Sequence, residues 1–533
     1  MSTYPYINSA RLRKSSVHGR SVYEEALSDQ GRVIFSGPFR RLQSKAQVFP
    51  LEENASVRSR LTHSIEVANI GKFIAREIIN KLNTCSIKNK NKNSSRQEIC
   101  ELERAFETFS ETACLIHDIG NPPFGHFGET AIKQWFSING NQSFIKSISN
   151  TNKEIAQRRE HGTNPDYLAP NTDHEYEHYL KHDFENFDGN AQGLRIICRV
   201  QGDFDRLGLN LTTTQLSGFM KYLACSDNID RSNNSYFSKK PGYFLTEKGI
   251  VKEIRKVIFG NENIKRRHPI AFVMEAADDI AYCISDIEDG LEKQVISFES
   301  IKIELKPLYI DVCKRYGIKK KNYKRFWKAT TNNLFKEIND NPQYTLFTRL
   351  RVKHILQQVD GASQIYVDNL KSIREGNYNH SLIAKPSVHH AWLKALKIYT
   401  ERNIYLSPSV VTPELSGLSI ITGILGKYKC ILELSANAFS RIVDPLDVTV
   451  NEKELSIETL LISSLPNSYI ELYKSSVSSF REGDYKPVGD NFYTNEWLFR
   501  AHLILDYVSS MTDDFAFRTF KILSGNSHKP PKY

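Results

Sequence analysis

In this 533-residue chain, His63, the His117-Asp118 pair and the Asp278-Asp279 pair each stand among apolar neighbours. A charge placed there is costly unless something compensates it. Brought together, two imidazoles and neighbouring carboxylates form a mixed nitrogen and oxygen site for a divalent cation. No thiolate joins them, so the donors suit Mn²⁺ or Mg²⁺, with Fe²⁺, Co²⁺ and Zn²⁺ also compatible, rather than a soft metal. Asp278-Asp279 follows Ala276-Ala277 and precedes Ile280. A helix interior has no use for two adjacent carboxylates in that setting without a cation.

Three helices must carry these groups. From Thr62 to Leu82, Ile65, Ala68, Ile70, Phe73, Ile74, Ile78 and Ile79 recur at mixed spacings of three and four, with no proline between them. Glu101 to Ile119 repeats the pattern and stops at Gly120-Asn121-Pro122-Pro123, a strong breaker. Pro269 opens a third helix, where its missing N–H costs nothing. That helix is expected to run to about Glu288 and to end at Gly290. Helical patterns recur near 322–339, 345–371, 388–403, 416–442 and 496–523, and alternating strand patterns are few and short. The expected fold class is all-α. The segments 83–96 and 149–183 are polar and read as insertions, the first a loop and the second a partly ordered excursion. A soft boundary near residue 300 divides a core at 1–300 from a further helical region at 301–533.

Composition bounds the partners. Apolar residues at 40% and charged residues at 25% are those of a globular chain. No run reaches the ~18 consecutive apolar residues that suggest a membrane span, so no membrane partner is expected. The N-terminal MSTYPYINSARLRK lacks the apolar core of a signal peptide. Eight scattered cysteines without a CxxC pair read as free thiols, and a cytoplasmic location is expected. The net charge of +10 favours polyanions, nucleotides or nucleic acid.

The quartet His63, His117, Asp118 and Asp278 resembles the HD superfamily of metal-dependent phosphohydrolases. The likeness extends to RRLQSKAQVFPLEENASVRSRLTHS (40–64), HDIGNPPFGHFGE (117–129), FDGNAQG (187–193), KKPGYFL (239–245) and MEAADDIAYCISDIEDG (274–290), then RLRV (349–352), YVDNL (366–370) and DYVSSMTDDFA (506–516). In that order, along nearly the whole chain, these strings resemble the bacterial dGTPase family. The resemblance implies an HD-domain helical core with additional C-terminal helices, and hydrolysis of dGTP to deoxyguanosine and tripolyphosphate. It implies His63, His117, Asp118 and Asp278 as metal ligands, Asp278 being preferred because a nucleotide-contacting Tyr282 follows one helical turn on. By the same likeness Asp286 and Gln47 meet the sugar, Arg60 meets a phosphate, and Asn190 is an active-site polar residue. Lys221, Tyr222 and Arg351 are candidates for the triphosphate, and Glu414 for the guanine edge. It also implies a homo-hexamer and single-stranded DNA as a partner. Two alternatives stand beside it: a broader dNTP triphosphohydrolase that needs a nucleotide activator, and a nucleic-acid-binding protein whose HD site is vestigial or acts as a phosphodiesterase.

His126 and Glu129 match the family's catalytic pair, and their chemistry also follows from the residues. Ester hydrolysis needs an activated water and a protonated leaving oxygen, and imidazole exchanges protons at neutral pH. A spacing of three puts both on one face if the segment after Pro123 is helical. A second cluster, His174, His178 and His182 at i, i+4, i+8, includes another literal His-Asp at 182–183. Its surroundings, DHEYEHYLKHDF, are strongly polar and read as an exposed helix.

Overall fold

The computed structural model describes residues 4, 6–87, 96–160, 175–201, 208–232, 236–331, 334, 343–383, 386–444 and 456–527. Helices dominate it. In chain order, those that matter to the site are α1 (Val22–Ile34), α2 (Arg60–Ile87), α3 (Arg96–Ile116), α4 (Gly125–Glu160), α5 (Gly189–Arg195), α6 (Pro269–Glu292), α7 (Gln343–Asp368), α8 (Val388–Asn403), α9 (Pro408–Glu433), α10 (Phe492–Ser510) and α11 (Asp513–Leu523). The strands among the described residues are one short parallel pair, β1 (Ala224–Cys225) beside β2 (Pro241–Tyr243).

Helices α2, α3 and α6 pack on one another and form the central layer. On α2 the apolar periodicity works as expected for Ala68, Ile70, Ile74, Ile78 and Ile79, all buried, and Val67 and Ala75 are buried with them. Each large side chain of this kind contributes ~1.5–3 kcal/mol on burial. Ile65 and Phe73, counted in the same pattern, instead stand about half exposed on the face they share with Asn69. Gly71 is where α2 comes closest to its neighbours: a methyl there would lie 2.4 Å from Cys114 Sγ of α3 and 3.6 Å from Ala277 of α6.

Helix α6 opens as its sequence requires. His268 caps it by accepting from the Ile270 N–H (3.2 Å), and Pro269 occupies its first turn. It does not end at Gly290 but continues to Glu292. Gly290 is a packing glycine: a methyl there would meet Ile404 Cδ1 at 2.7 Å. The segment 83–96 is less of a loop than expected, since α2 runs to Ile87 and α3 begins at Arg96. The segment 149–183 is likewise mostly helical where described, because α4 continues to Glu160 and Tyr176 is buried beside Phe144 and the Phe136 carbonyl.

The C-terminal helices close over this layer. Helix α8 packs on α6, α9 runs along α4 and α11, and α10 supports α9. Helix α9 has the length and apolar composition of a membrane span. It nevertheless buries Val410, Ile420, Ile421, Ile424 and Leu425 in the protein core and carries Glu414.

Where α3 breaks, the backbone of the 117–121 turn lies directly on α5. A methyl on Gly120 would sit 2.1 Å from both the Gly189 carbonyl and the Gly193 nitrogen. Main-chain atoms cannot swing aside, so Gly120→Ala is expected to cost about 1–3 kcal/mol, as overpacking does. Gly249→Ala, whose added methyl meets nothing within 4 Å, should be neutral or stabilising. Denaturant unfolding of the two variants checks this.

Candidate active site

Three helices deliver the quartet. His63 comes from the first turn of α2, His117 and Asp118 from the turn that ends α3, and Asp278 from the middle of α6. His63 is fully buried. His63 Nε2 lies 3.6 Å from Asp278 Oδ1, and His117 Nε2 lies 3.5 Å from both Asp278 Oδ1 and Asp118 Oδ1. The two imidazoles meet edge-on at 5.4 Å. Of the adjacent aspartates, Asp278 faces the imidazoles, while Asp279 turns to Lys397 Nζ at 3.1 Å.

These donors fit a divalent cation. Both ring nitrogens of His63 and Nε2 of His117 are buried without a hydrogen-bond partner among the described residues, a cost that a cation taking one lone pair from each ring would reduce. His117 Nδ1 lies 2.7 Å from the Cys114 carbonyl. A carbonyl only accepts, so Nδ1 keeps a proton and Nε2 is the nitrogen left to bind a cation once its own proton is displaced. Donor atoms of His63, His117 and Asp118 lie within 4.8 Å of one another, compatible with sharing an ion at bond lengths of ~2.0–2.2 Å.

The electrostatics agree. Burial works against protonation of His117, yet Asp118 and Asp278 outweigh it and lift the ring to about 9. Burial likewise opposes ionisation of Asp118, but His117 and Arg60 hold it down at about 2. Arg60 Nη1 donates to Asp118 Oδ2 at 2.5 Å, and Asn121 Nδ2 donates to Asp118 Oδ1 at 2.6 Å. The carboxylates therefore stay charged, and a cation has only the imidazole proton to displace.

Beside the quartet lies a cavity of about 820 Å³, within the usual range for a small-molecule site. It is lined by Gln47, Arg60, His126, Glu129, Asn190, Lys221, Tyr222, Tyr282, Asp286 and Glu414 together with His117, Asp118 and Asp278. Arg351 is not in this lining. It donates to Glu288 at 2.6 and 2.7 Å, in a buried group with Arg58 and Asp289.

His126 stands 84% exposed at the N-terminus of α4, while Glu129 one turn on is buried. Glu129 Oε2 holds His126 Nδ1 at 3.2 Å, and Oε1 accepts from the Gly189 N–H at 2.8 Å. Burial opposes ionisation of Glu129, but His126 and nearby lysines outweigh it and hold the carboxyl below its ordinary value. The ring's Nε2 is thus left facing outward. Asn190 lies in the first turn of α5, where Asp188 accepts from its N–H (3.0 Å) and its Nδ2 (2.6 Å).

The short β pair places its lysines together. Lys221 just before β1 reaches Asp278 Oδ2 at 3.5 Å, and Lys240 just before β2 reaches Asp188 Oδ2 at 3.0 Å. Gly242 allows this approach, since a methyl there would collide with the Tyr222 carbonyl at 1.9 Å. On α6, the Tyr282 ring lies 4.6 Å from Lys397 Nζ. One turn on, Asp286 Oδ2 accepts from the Tyr405 hydroxyl, while Oδ1 is buried and has no partner among the described residues. Burial pushes Asp286 up to about 7. Gln47 Oε1 is another buried acceptor in the same wall without a partner among the described residues. Glu414, half-buried on α9, is pushed by burial to about 7.

Sequence reasoning missed Lys240, Tyr405 and Lys397. Lys240 lies in KKPGYFL, where one lysine beside another gives no spacing signal. Tyr405 meets Asp286 across 119 residues, and no local pattern announces such a contact. In the second His-Asp pair, Asp183 faces inward to His502 Nε2 (3.0 Å), Ser226 and the Leu245 N–H (2.9 Å). His174 lies outside the described residues.

Residues 60–161 match the HD domain family. The chain is 34% identical over 517 residues to a deoxyguanosinetriphosphate triphosphohydrolase of Yersinia pseudotuberculosis, covering 93% of each chain. It is also 34% identical over 508 residues to the protein of that name from Yersinia enterocolitica, again covering 93% of each. Replacing His117 by Ala is expected to lower Mn²⁺ affinity by more than the ~10–100-fold typical of losing an outer-sphere partner. His126→Ala should leave it unchanged. Titration calorimetry on both variants checks this.

Proposed function

The chain belongs to the deoxyguanosinetriphosphate triphosphohydrolase family of HD-domain proteins, and from that premise we propose that it hydrolyses dGTP to deoxyguanosine and tripolyphosphate. The observation that carries this reading is the His63–His117–Asp118–Asp278 quartet, buried at His63 and opening onto a cavity that also holds Arg60, Lys221, Lys240 and the His126–Glu129 pair. The guanine reading is favoured over a broader dNTP hydrolase by the names of the relatives.

His63, His117, Asp118 and Asp278 would hold the cation, with Mn²⁺ or Mg²⁺ as the first candidates. Bound there, it supplies Lewis-acid stabilisation of the charge that develops on the α-phosphate. The chain's own residues do the rest. Arg60, Lys221 and Lys240 bring positive charge to the triphosphate. Water adds to the α-phosphorus, and the bond from that phosphorus to O5′ of the sugar breaks. Because Glu129 takes His126 Nδ1, Nε2 is the nitrogen that exchanges a proton with the attacking water or the departing O5′. Asn190, fixed by Asp188, is placed to orient the water. Gln47 and Asp286 offer their unpartnered oxygens to the 3′-hydroxyl, and Tyr282 closes the 2′ side against a ribose. Glu414 accepts two N–H groups of guanine. Arg351, bound to Glu288, supports the cavity wall from behind rather than touching phosphate.

The division into a 1–300 core and a 301–533 region that completes the pocket is kept, supported by the presence of Tyr405, Val410 and Glu414 in the lining. A homo-oligomer, hexameric by resemblance, is supported by apolar side chains left outside, among them Ile138, Leu415, Ile457 and Leu460. Single-stranded DNA as a further partner is supported by the net charge of +10 and by residues 312–331, which hold eight Lys or Arg and no acid. A cytoplasmic location belongs to the same proposal.

His126→Ala is expected to slow single-turnover hydrolysis of dGTP by about 10²–10⁴-fold with Mn²⁺ affinity intact. Wild-type turnover by that variant would remove its assigned role. A second test uses pH. Glu414 is protonated below its value of about 7 and accepts two N–H groups only when ionised, so KM for dGTP should fall as pH rises through 7. Steady-state kinetics of Glu414→Gln should show that part of the pH dependence gone.

A further inference from the structure

The string DYVSSMTDDFA (506–516) contributes no residue to the cavity lining. Three of its polar groups nevertheless reach three of the segments that do. The Asp506 carboxylate accepts from Gln192 Nε2 (2.9 Å) and from Arg195 Nε (2.9 Å) and Nη2 (2.8 Å) on α5, the helix whose first turn carries Asn190. The Ser509 carbonyl accepts from Lys45 Nζ at 2.9 Å, and the same ammonium donates to the Asn121 carbonyl at 2.5 Å. Asp513 divides its two oxygens: Oδ1 accepts from the Phe124 N–H (3.0 Å) and Oδ2 from the Ala46 N–H (2.9 Å). Lys45, Asp506 and Asp513 are all buried.

The two amides held by Asp513 belong to opposite parts of the site. Ala46 precedes Gln47, and Phe124 stands two residues before His126. Phe124 has φ +60°, a left-handed conformation that non-glycine residues adopt reluctantly. The turn therefore needs an external hold. Gly417 of α9 makes room for the Phe124 ring, where a methyl would lie 2.4 Å away. Asp513 supplies the hydrogen bond. An ionised carboxylate accepts on both oxygens and donates on neither, whereas an amide would set its NH₂ against one of the two N–H groups.

We propose that Asp513 is a positioning residue of the active site, which by accepting one backbone N–H from each segment sets the spacing between the Ala46–Gln47 loop and the Phe124–His126 turn. The 506–516 string thus acts on turnover without touching substrate. The kinetic half of this inference rests on the dGTP reading; the structural half does not.

The test compares wild type, Asp513→Asn and Asp514→Asn. Asp514 is exposed and pairs with Arg518 one turn along. Steady-state kinetics with dGTP and Mn²⁺, Mn²⁺ calorimetry, and amide hydrogen exchange over 43–48 and 121–127 are measured for each. Asp513→Asn is expected to lose at least tenfold in kcat/KM, through a lower kcat from the His126 turn and a higher KM from the Gln47 loop. Its Mn²⁺ affinity should stay within twofold, and exchange should quicken in those two segments alone. Asp514→Asn should match wild type. Lys45→Met, which cuts the link from Ser509 to Asn121, should give the same pattern and stands in if Asp513→Asn does not fold. Wild-type kinetics and exchange in Asp513→Asn would overturn the proposal. So would a loss spread evenly over exchange, metal affinity and stability, which marks a general structural role. If wild type fails to hydrolyse dGTP, the functional reading falls, and selective or unchanged exchange at the two segments still decides the role of Asp513.

Discussion

Two imidazoles and two carboxylates held 3.5–3.6 Å apart where α2, α3 and α6 meet are the constraint from which the rest of the structure follows. Such a group is unfavourable in a protein interior unless a cation binds it and each remaining polar atom has a partner. The protein meets the second condition around His117 and the two carboxylates, while the remaining ring nitrogen of His63 has no partner among the described residues. The Cys114 carbonyl fixes the His117 tautomer, Arg60 and Asn121 take the Asp118 oxygens, and Lys221 faces Asp278. Glycines at 71 and 120 then let backbone come close enough for donors from three helices to converge.

The same economy extends outward. Buried carboxylates on α6 are answered one by one: Glu275 by Arg267, Asp279 by Lys397, Asp286 by Tyr405, and Glu288 with Asp289 by Arg58. Removing Arg267 would leave the Glu275 charge buried and cost about 3–5 kcal/mol. Helix α6 is therefore held in one rotation, the one that turns Asp278, Tyr282 and Asp286 to the cavity. Residues from the C-terminal half do much of this holding, which explains why the cavity cannot be assembled from the HD segment alone.

Much of this was legible in the residues. The quartet announced itself because His and Asp in apolar helices need an explanation, and the Gly-Asn-Pro-Pro break marked the turn after α3, although the helix stops at Ile116 rather than at the expected Ile119. The three central helices followed from their periodicity, and α8 coincides with the expected 388–403. What was not legible has a common physical cause. Gly290 looked like a helix stop, but it is small because Ile404 lies against it. Arg351 looked like a phosphate ligand, but it is taken by Glu288. Ile65 and Phe73 fit an apolar stripe yet face outward. Lys240 and Tyr405 entered the cavity through contacts with distant parts of the chain. In each case the deciding partner lies far away in sequence, where local pattern carries no information. Of the excursion expected at 149–183, residues 161–174 lie outside the described residues, and the described ends are helical, with Tyr176 packed inward.

The central claim is that water attacks the α-phosphorus of dGTP and that the bond to O5′ breaks. The most direct measurement is product analysis after incubation with dGTP and Mn²⁺ in heavy-oxygen water, using ion-exchange separation and mass spectrometry. The account predicts deoxyguanosine of natural mass and tripolyphosphate carrying the heavy oxygen. Formation of dGMP with pyrophosphate, or of dGDP with phosphate, would contradict it.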